Sequence, residues 1–194
     1  MKAILVAVGA AALLSACAST NADSEPPVAA VDDTSPLFHP MYMRTAASSD
    51  MFEIESGRLA LQRSQNPAVR QFAQMLIDHH TMTTNELMAA ARAAGIEPPP
   101  PAMLPRHMEM LDRLRNAPTG EFDAAFKREQ IMAHQEALML HRNYAAQGDV
   151  PQLRDTAARA VPIIEGHLNH AQGLPEYAPA PAPAAPTGAG ERGL

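Results

Sequence analysis

Three long stretches of this chain bring an apolar or small residue back every three or four positions, and no stretch alternates apolar with polar as a half-buried strand does. Val69, Ala73, Leu76, Thr83, Leu87 and Ala90 form one stripe. Phe122, Phe126, Ala133, Leu140 and Tyr144 form a second, and Leu153, Ala157, Ile164, Leu168 and Ala171 a third. A stripe of this period lies on one face of a helix and has to be buried against other helices. The breaks between stripes are equally legible. Helix one is expected from about Arg44 to Ser64. Asn66-Pro67 offers an N-cap and a proline at the first helical position of helix two, and Gly95 stands where a left-handed residue would close it. Pro98 to Pro101 forbid helix, and a short helical piece around His107–Arg115 bridges the gap. Helix three runs from about Gly120 to Gln147 and stops at Gly148. Asp149 with Gln152 resembles a capping box for helix four, which carries Pro162 inside it and ends near Gly173. The expected fold is all-α, a four-helix bundle with a short extra helix between helices two and three. The long connection is compatible with antiparallel neighbours or with a crossover.

The two ends read differently. Residues 1–17, MKAILVAVGAAALLSAC, have one lysine and then an apolar run too short to span a bilayer, the layout of a secretory signal. Leu14-Ser15-Ala16-Cys17 has the form of a bacterial lipobox, which makes Cys17 the lipidated first residue of the mature chain. Ala18 follows where aspartate would mark inner-membrane retention, so the expected location is the outer membrane, facing the periplasm. Residues 18–40 are small, polar and Pro-rich and read as a flexible tether, 41–174 as the helical domain, and 175–194 as a disordered Ala/Pro-rich tail. Cys17 is the only cysteine, so lipidation leaves no disulfide, thiol nucleophile or cysteine sulfur ligand. A formal net charge of −6 without a basic run argues against nucleic-acid binding. No Gly-rich phosphate loop and no Ser-His-Asp or Cys-His arrangement can be argued.

The stretches SDMFEIESGRLALQRSQNPAVRQFAQMLIDHH, EFDAAFKREQIMAHQEALMLHRNYA and VPIIEGHLNHAQGL resemble a bacterial family of predicted outer-membrane or periplasmic proteins. That family's domain is described as ferritin-like and of unknown function. The resemblance covers about residues 41–174, through Glu53 with Gly57, Asp78-His79, His134, and Pro162 with His167. It implies a ferritin-like bundle and an envelope location, and supplies no established activity. A shorter stretch, Met75 ahead of His79-His80, also resembles the Met-and-His-His signature of another small helical periplasmic family linked to copper. Asp78 fits the first family better, and the later methionines of the second pattern are out of register.

Glu53, His79, His134 and His167 fall one per helix, the way bundle interiors assemble metal sites. Three histidines and a carboxylate suit a divalent ion such as zinc or copper. The competing reading is a buried polar network in which each histidine is simply hydrogen-bonded. A di-iron centre is disfavoured, because Glu-x-x-His pairs are missing: Ile164 stands where the glutamate before His167 would be, and Glu165 lies on another face. His134 and His141 share a face about 10.5 Å apart along the axis, too far for one ion. His167 and His170 could chelate, and Asp78 is expected to orient a histidine or cap a charge. Of the adjacent pair, His79 is expected to point inward and His80 outward, although a stripe through Ala73, Leu76, His80, Thr83 and Leu87 is nearly as good. The functional expectation is a lipid-anchored, non-catalytic binding or structural protein that contacts another envelope component. A zinc- or copper-binding protein is the alternative, and a metal-dependent oxidoreductase a third, weaker reading.

Overall fold

The computed structural model of the chain describes residues 34–175. The signal sequence with Cys17, most of the tether and nearly all of the Ala/Pro-rich tail lie outside the described residues. Within them the protein is all-α: α1 (His39–Arg63), α2 (Pro67–Ala93), α3 (Pro105–Asn116), a 3₁₀ turn (Thr119–Glu121), α4 (Phe122–Gln147) and α5 (Pro151–Gly173). None of the described helices is long and apolar enough to cross a membrane.

Local chemistry sets most of the boundaries. The Asn66 side chain accepts from the Ala68 N–H at 2.9 Å, and Pro67 opens α2. At the other end Gly95 takes φ +73°, while the Ile96 N–H returns to the Ala91 carbonyl. Helix α1 begins at His39 rather than near Arg44, because Pro40 at its start favours helix instead of tether. The expected capping box of helix four does not form. Asp149 is turned back toward α1, where it accepts from His39 Nδ1 at 2.7 Å and from the Tyr144 hydroxyl at 2.8 Å. Helix α5 continues through Pro162 to Gly173.

The packing settles the helix order. α1 lies against α2 and α4, and α5 against α4 and α2, so α2 and α4 are diagonal. The start of α1 meets the α4–α5 junction through His39 and Asp149, and its end meets the start of α4, with the Arg63 guanidinium 4.6 Å from the Phe122 ring centroid. α1 is therefore antiparallel to α4. Short links at Ser64–Asn66 and Gly148–Val150 make α1–α2 and α4–α5 antiparallel hairpins. α2 and α4 then run the same way, and the connection between them is a crossover spanning the bundle. α3 travels with it beside α1. Ser48 Oγ accepts from the Leu104 N–H at 2.7 Å and shares a hydrogen bond with His107 Nδ1 at 2.6 Å, while Arg63 donates to the carbonyls of Leu114 and Ala117.

The apolar core has two large parts and a small one of Ala137, Ala160 and Ile164. Phe52, Phe72, Leu76, Leu114, Phe122 and Phe126 fill one end, and Tyr42, Met43, Leu87, Tyr144 and Leu153 the other. On every one of the four long helices a buried polar residue interrupts the stripe between these parts: Asp50 and Glu53, His80, His134 and His141, His167.

Candidate metal centre

Side-chain direction brings these polar residues together. Asp50 and Glu53 are three apart and share the inner face of α1. His80 follows Leu76 by four and precedes Leu87 by seven, so it shares their face, and His79 lies about 100° around the helix. His80, His134 and His167 are 3%, 0% and 2% exposed. One donor atom from each lies within 4.8 Å of the other two. Their ring centroids form a triangle with sides of 5.7, 5.2 and 5.3 Å. Glu53 is 1% exposed, with Oε1 3.5 Å from His134 Nδ1.

Each ring has one nitrogen engaged and one bare. His80 Nδ1 donates to Asp50 Oδ1 at 2.8 Å, and Asp50 Oδ2 is held by the hydroxyls of Thr84 (2.7 Å) and Thr83 (3.2 Å). His134 Nδ1 donates to the Gln130 carbonyl at 2.8 Å. His167 Nε2 lies 2.8 Å from Nδ1 of the half-buried His79. That leaves His80 Nε2, His134 Nε2, His167 Nδ1 and both Glu53 oxygens buried without a hydrogen-bond partner in the protein. Orphaned groups of this kind cost about 1–3 kcal/mol each. Native interiors hold few of them, and here three of the residues are the histidines whose donor atoms lie within 4.8 Å of one another, with Glu53 beside His134.

The surroundings keep most of the cluster uncharged. Burial, aided by the charge of His80, lowers His134 to about 3 and pushes His167 lower still. Burial lifts Glu53 to about 8, opposed by His80 and the Gln130 side chain. His80 goes the other way: burial pulls it down, but the hydrogen bond and charge of Asp50, with the charge of Glu53, leave it raised. Neutral imidazoles with bare nitrogens are the form in which histidine binds metal.

The structure sets Glu53 beside His134 and His134 beside His167, and it reverses the orientation of the adjacent pair. His80 is inside and His79 is half-buried at the rim, in contact with His167 from outside. The reason is geometric: the face through Leu76 and Leu87 passes through position 80. Asp78 is exposed and accepts only from Gln74 at 2.9 Å, and the carboxylate that orients a histidine is Asp50, which the sequence reading missed. Its signal was the i, i+3 spacing to Glu53. His170 is exposed and stacks on Phe72 at 4.8 Å, outside the cluster. His141 is a full two turns from His134 and meets the Tyr42 hydroxyl at 3.2 Å. Glu165 pairs with Arg142 on the surface, so no Glu-x-x-His pair faces the interior from α5.

Fold and cluster define an all-α bundle with three buried histidines gathered from facing helices and a buried glutamate beside one of them, the kind of arrangement in which bundles hold metals and cofactors. The family described as "Domain of unknown function (DUF4142)" matches residues 23–174, and the chain belongs to it. No curated protein matches the chain. Among solved structures it is similar to CopM in the Cu(II)-bound form, at 20% identity and a TM-score of 0.60, covering 70% of this chain and 93% of that one. CopM in the Ag-bound form follows at 20% identity and a TM-score of 0.58, and the apo form at 18% and 0.56. At such identities the likeness is one of fold.

Proposed function

We propose that this protein is a cell-envelope lipoprotein that binds a copper ion inside its bundle, through His80 Nε2, His134 Nε2 and His167 Nδ1, with the Glu53 carboxylate beside them as a fourth donor. The observation that carries the reading is the convergence of three buried histidines from three helices, each with a ring nitrogen that has no partner in the protein. A single cation would satisfy the three nitrogens at once, with the Glu53 carboxylate close by beside His134. The donor types fit: imidazole nitrogen suits copper, and a carboxylate adds the negative charge a divalent ion needs away from water. The fold shared with CopM, solved with Cu(II), Cu(I) and silver, supports copper over zinc. The role is binding rather than catalysis. Attachment through lipidated Cys17 to the outer membrane, with the bundle in the periplasm, is supported by the N-terminal sequence.

The test is elemental analysis of protein purified without a His-tag, followed by calorimetric titration with Cu(II) and Zn(II). Wild type is expected to take up one Cu(II) per chain, and His80→Gln, His134→Gln and His167→Gln to weaken it by at least about tenfold each. If wild type binds Cu(II) no more tightly than the triple variant, the cluster is a structural network. Cys17→Ser should move the protein from the membrane fraction to the soluble one, and unchanged fractionation would remove the anchor.

A further inference from the structure

The centre leaves His79 without a role of its own, yet its contact with His167 is as short as any in the cluster. Nδ1 of His79 lies 2.8 Å from Nε2 of His167, with the two rings 14° from parallel and their centroids 5.1 Å apart. A hydrogen bond between two neutral imidazoles holds one proton, so one ring donates and the other accepts. The far side of His167 decides which. Its Nδ1 is buried with no partner in the protein, and a ring nitrogen binds an ion only when it carries no proton. A neutral His167 with a bare Nδ1 carries its proton on Nε2. That N–H must donate to His79 Nδ1, so His79 keeps its own proton on Nε2.

The other two rings follow the same rule. Asp50 takes the Nδ1 proton of His80, and the Gln130 carbonyl takes that of His134. We propose that His79 is the third of these outer acceptors: a positioning residue that fixes His167 in the Nε2–H tautomer and thereby aims a bare Nδ1 at the metal centre. The inference rests on the proposed copper site, which is what requires an unprotonated Nδ1 on His167; the tautomer itself is read in the metal-free protein. His79 is unlike the other two acceptors, for an imidazole can also donate, whereas a carboxylate or a carbonyl only accepts. It is also the acceptor with a side chain at the bundle surface, where Asp50 and the Gln130 carbonyl are interior.

Long-range proton–nitrogen correlation spectra of the full chain, metal-free and labelled with ¹⁵N, report the tautomer of each histidine directly. Wild type should show His167 with a protonated Nε2 and a pyridine-like Nδ1. In His79→Asn the amide oxygen stands close to where Nδ1 was, so the tautomer and the Cu(II) affinity should both be kept. In His79→Leu no acceptor remains, His167 should shift toward the other tautomer, and the Cu(II) dissociation constant should rise about 10- to 100-fold. Circular dichroism of the variants separates this from loss of fold. A protonated Nδ1 on wild-type His167 overturns the proposal, as does a His79→Leu variant that keeps both the tautomer and the affinity. If the tautomer pattern is found but wild type binds no Cu(II), the copper reading fails and the positioning role of His79 holds.

Discussion

Gly57 sits in the middle of α1, where a helix ordinarily gains roughly 1 kcal/mol from alanine in place of glycine. The structure argues that here the sign reverses. A Cβ at position 57 would stand 2.9 Å from the Ala73 carbonyl oxygen of α2 and 3.0 Å from Ile77 Cγ1. The first of these is backbone and cannot rotate away, so α1 and α2 must separate by a few tenths of an ångström along their contact. Forcing a methyl into packed interior costs about 1–3 kcal/mol, and the upper end applies where helices themselves must move. Against the propensity gain the net effect of Gly57→Ala is a loss of roughly 1–2 kcal/mol. Gly166 provides the control: it is mid-helix in α5, exposed, and a Cβ there meets nothing within 4 Å. Gly166→Ala should therefore stabilise by up to about 1 kcal/mol. Urea unfolding followed by circular dichroism should move the two midpoints in opposite directions, by roughly 0.5–1 M for a domain of this size. A Gly57→Ala protein as stable as wild type would refute the close-approach argument.

Ser48→Ala should strip His107 Nδ1 and the Leu104 N–H of their shared partner, costing about 1–3 kcal/mol, and should speed proteolysis within 98–104 more than elsewhere. Equal cleavage of wild type and variant in that segment would count against the clasp. The second buried histidine of α4 predicts acid sensitivity. Burial lowers His141 to about 4, with Asp50 opposing and His80 adding to the shift, so the folded state prefers the neutral ring. Its contribution is complete above the unfolded value of about 6.5 and is lost as pH falls from there toward 4, on the order of 3 kcal/mol in all. His141→Gln should flatten the stability profile over that window relative to wild type. Parallel profiles of the two proteins would show that His141 does not carry the effect.

The fold was readable because helix ends and stripes are local properties. Asn66-Pro67 and Gly95 act through their own backbone chemistry, and period-3.6 burial needs no knowledge of the partner helix. Two kinds of information were not local. The order of the helices depends on where the α2–α4 connection is pinned, and that is decided by contacts such as Ser48 with Leu104 and Arg63 with Leu114, 51 residues away in sequence. The orientation of His79 and His80 turned on a rotation of about 100° between two stripes that fit almost equally well. Only packing of α2 against its two neighbours, α1 and α5, discriminates between them. Asp149 shows the same limit: its spacing to Gln152 satisfied a local rule, but His39 and Tyr144 compete for the carboxylate and win.

The crossover divides the donors between two hairpins. Glu53 and His80 belong to α1–α2, His134 and His167 to α4–α5, and a single covalent path joins the halves. An ion held by both would act as a clamp across the seam, adding about 2.7 kcal/mol to their docking at a hundredfold excess over its dissociation constant. Severing the connecting path would convert that clamp from an intramolecular to an intermolecular one. The two fragments would then find each other at ordinary solution concentrations instead of the high effective concentration the tether imposes. Reassembly of the bundle would become a titratable reporter of the metal.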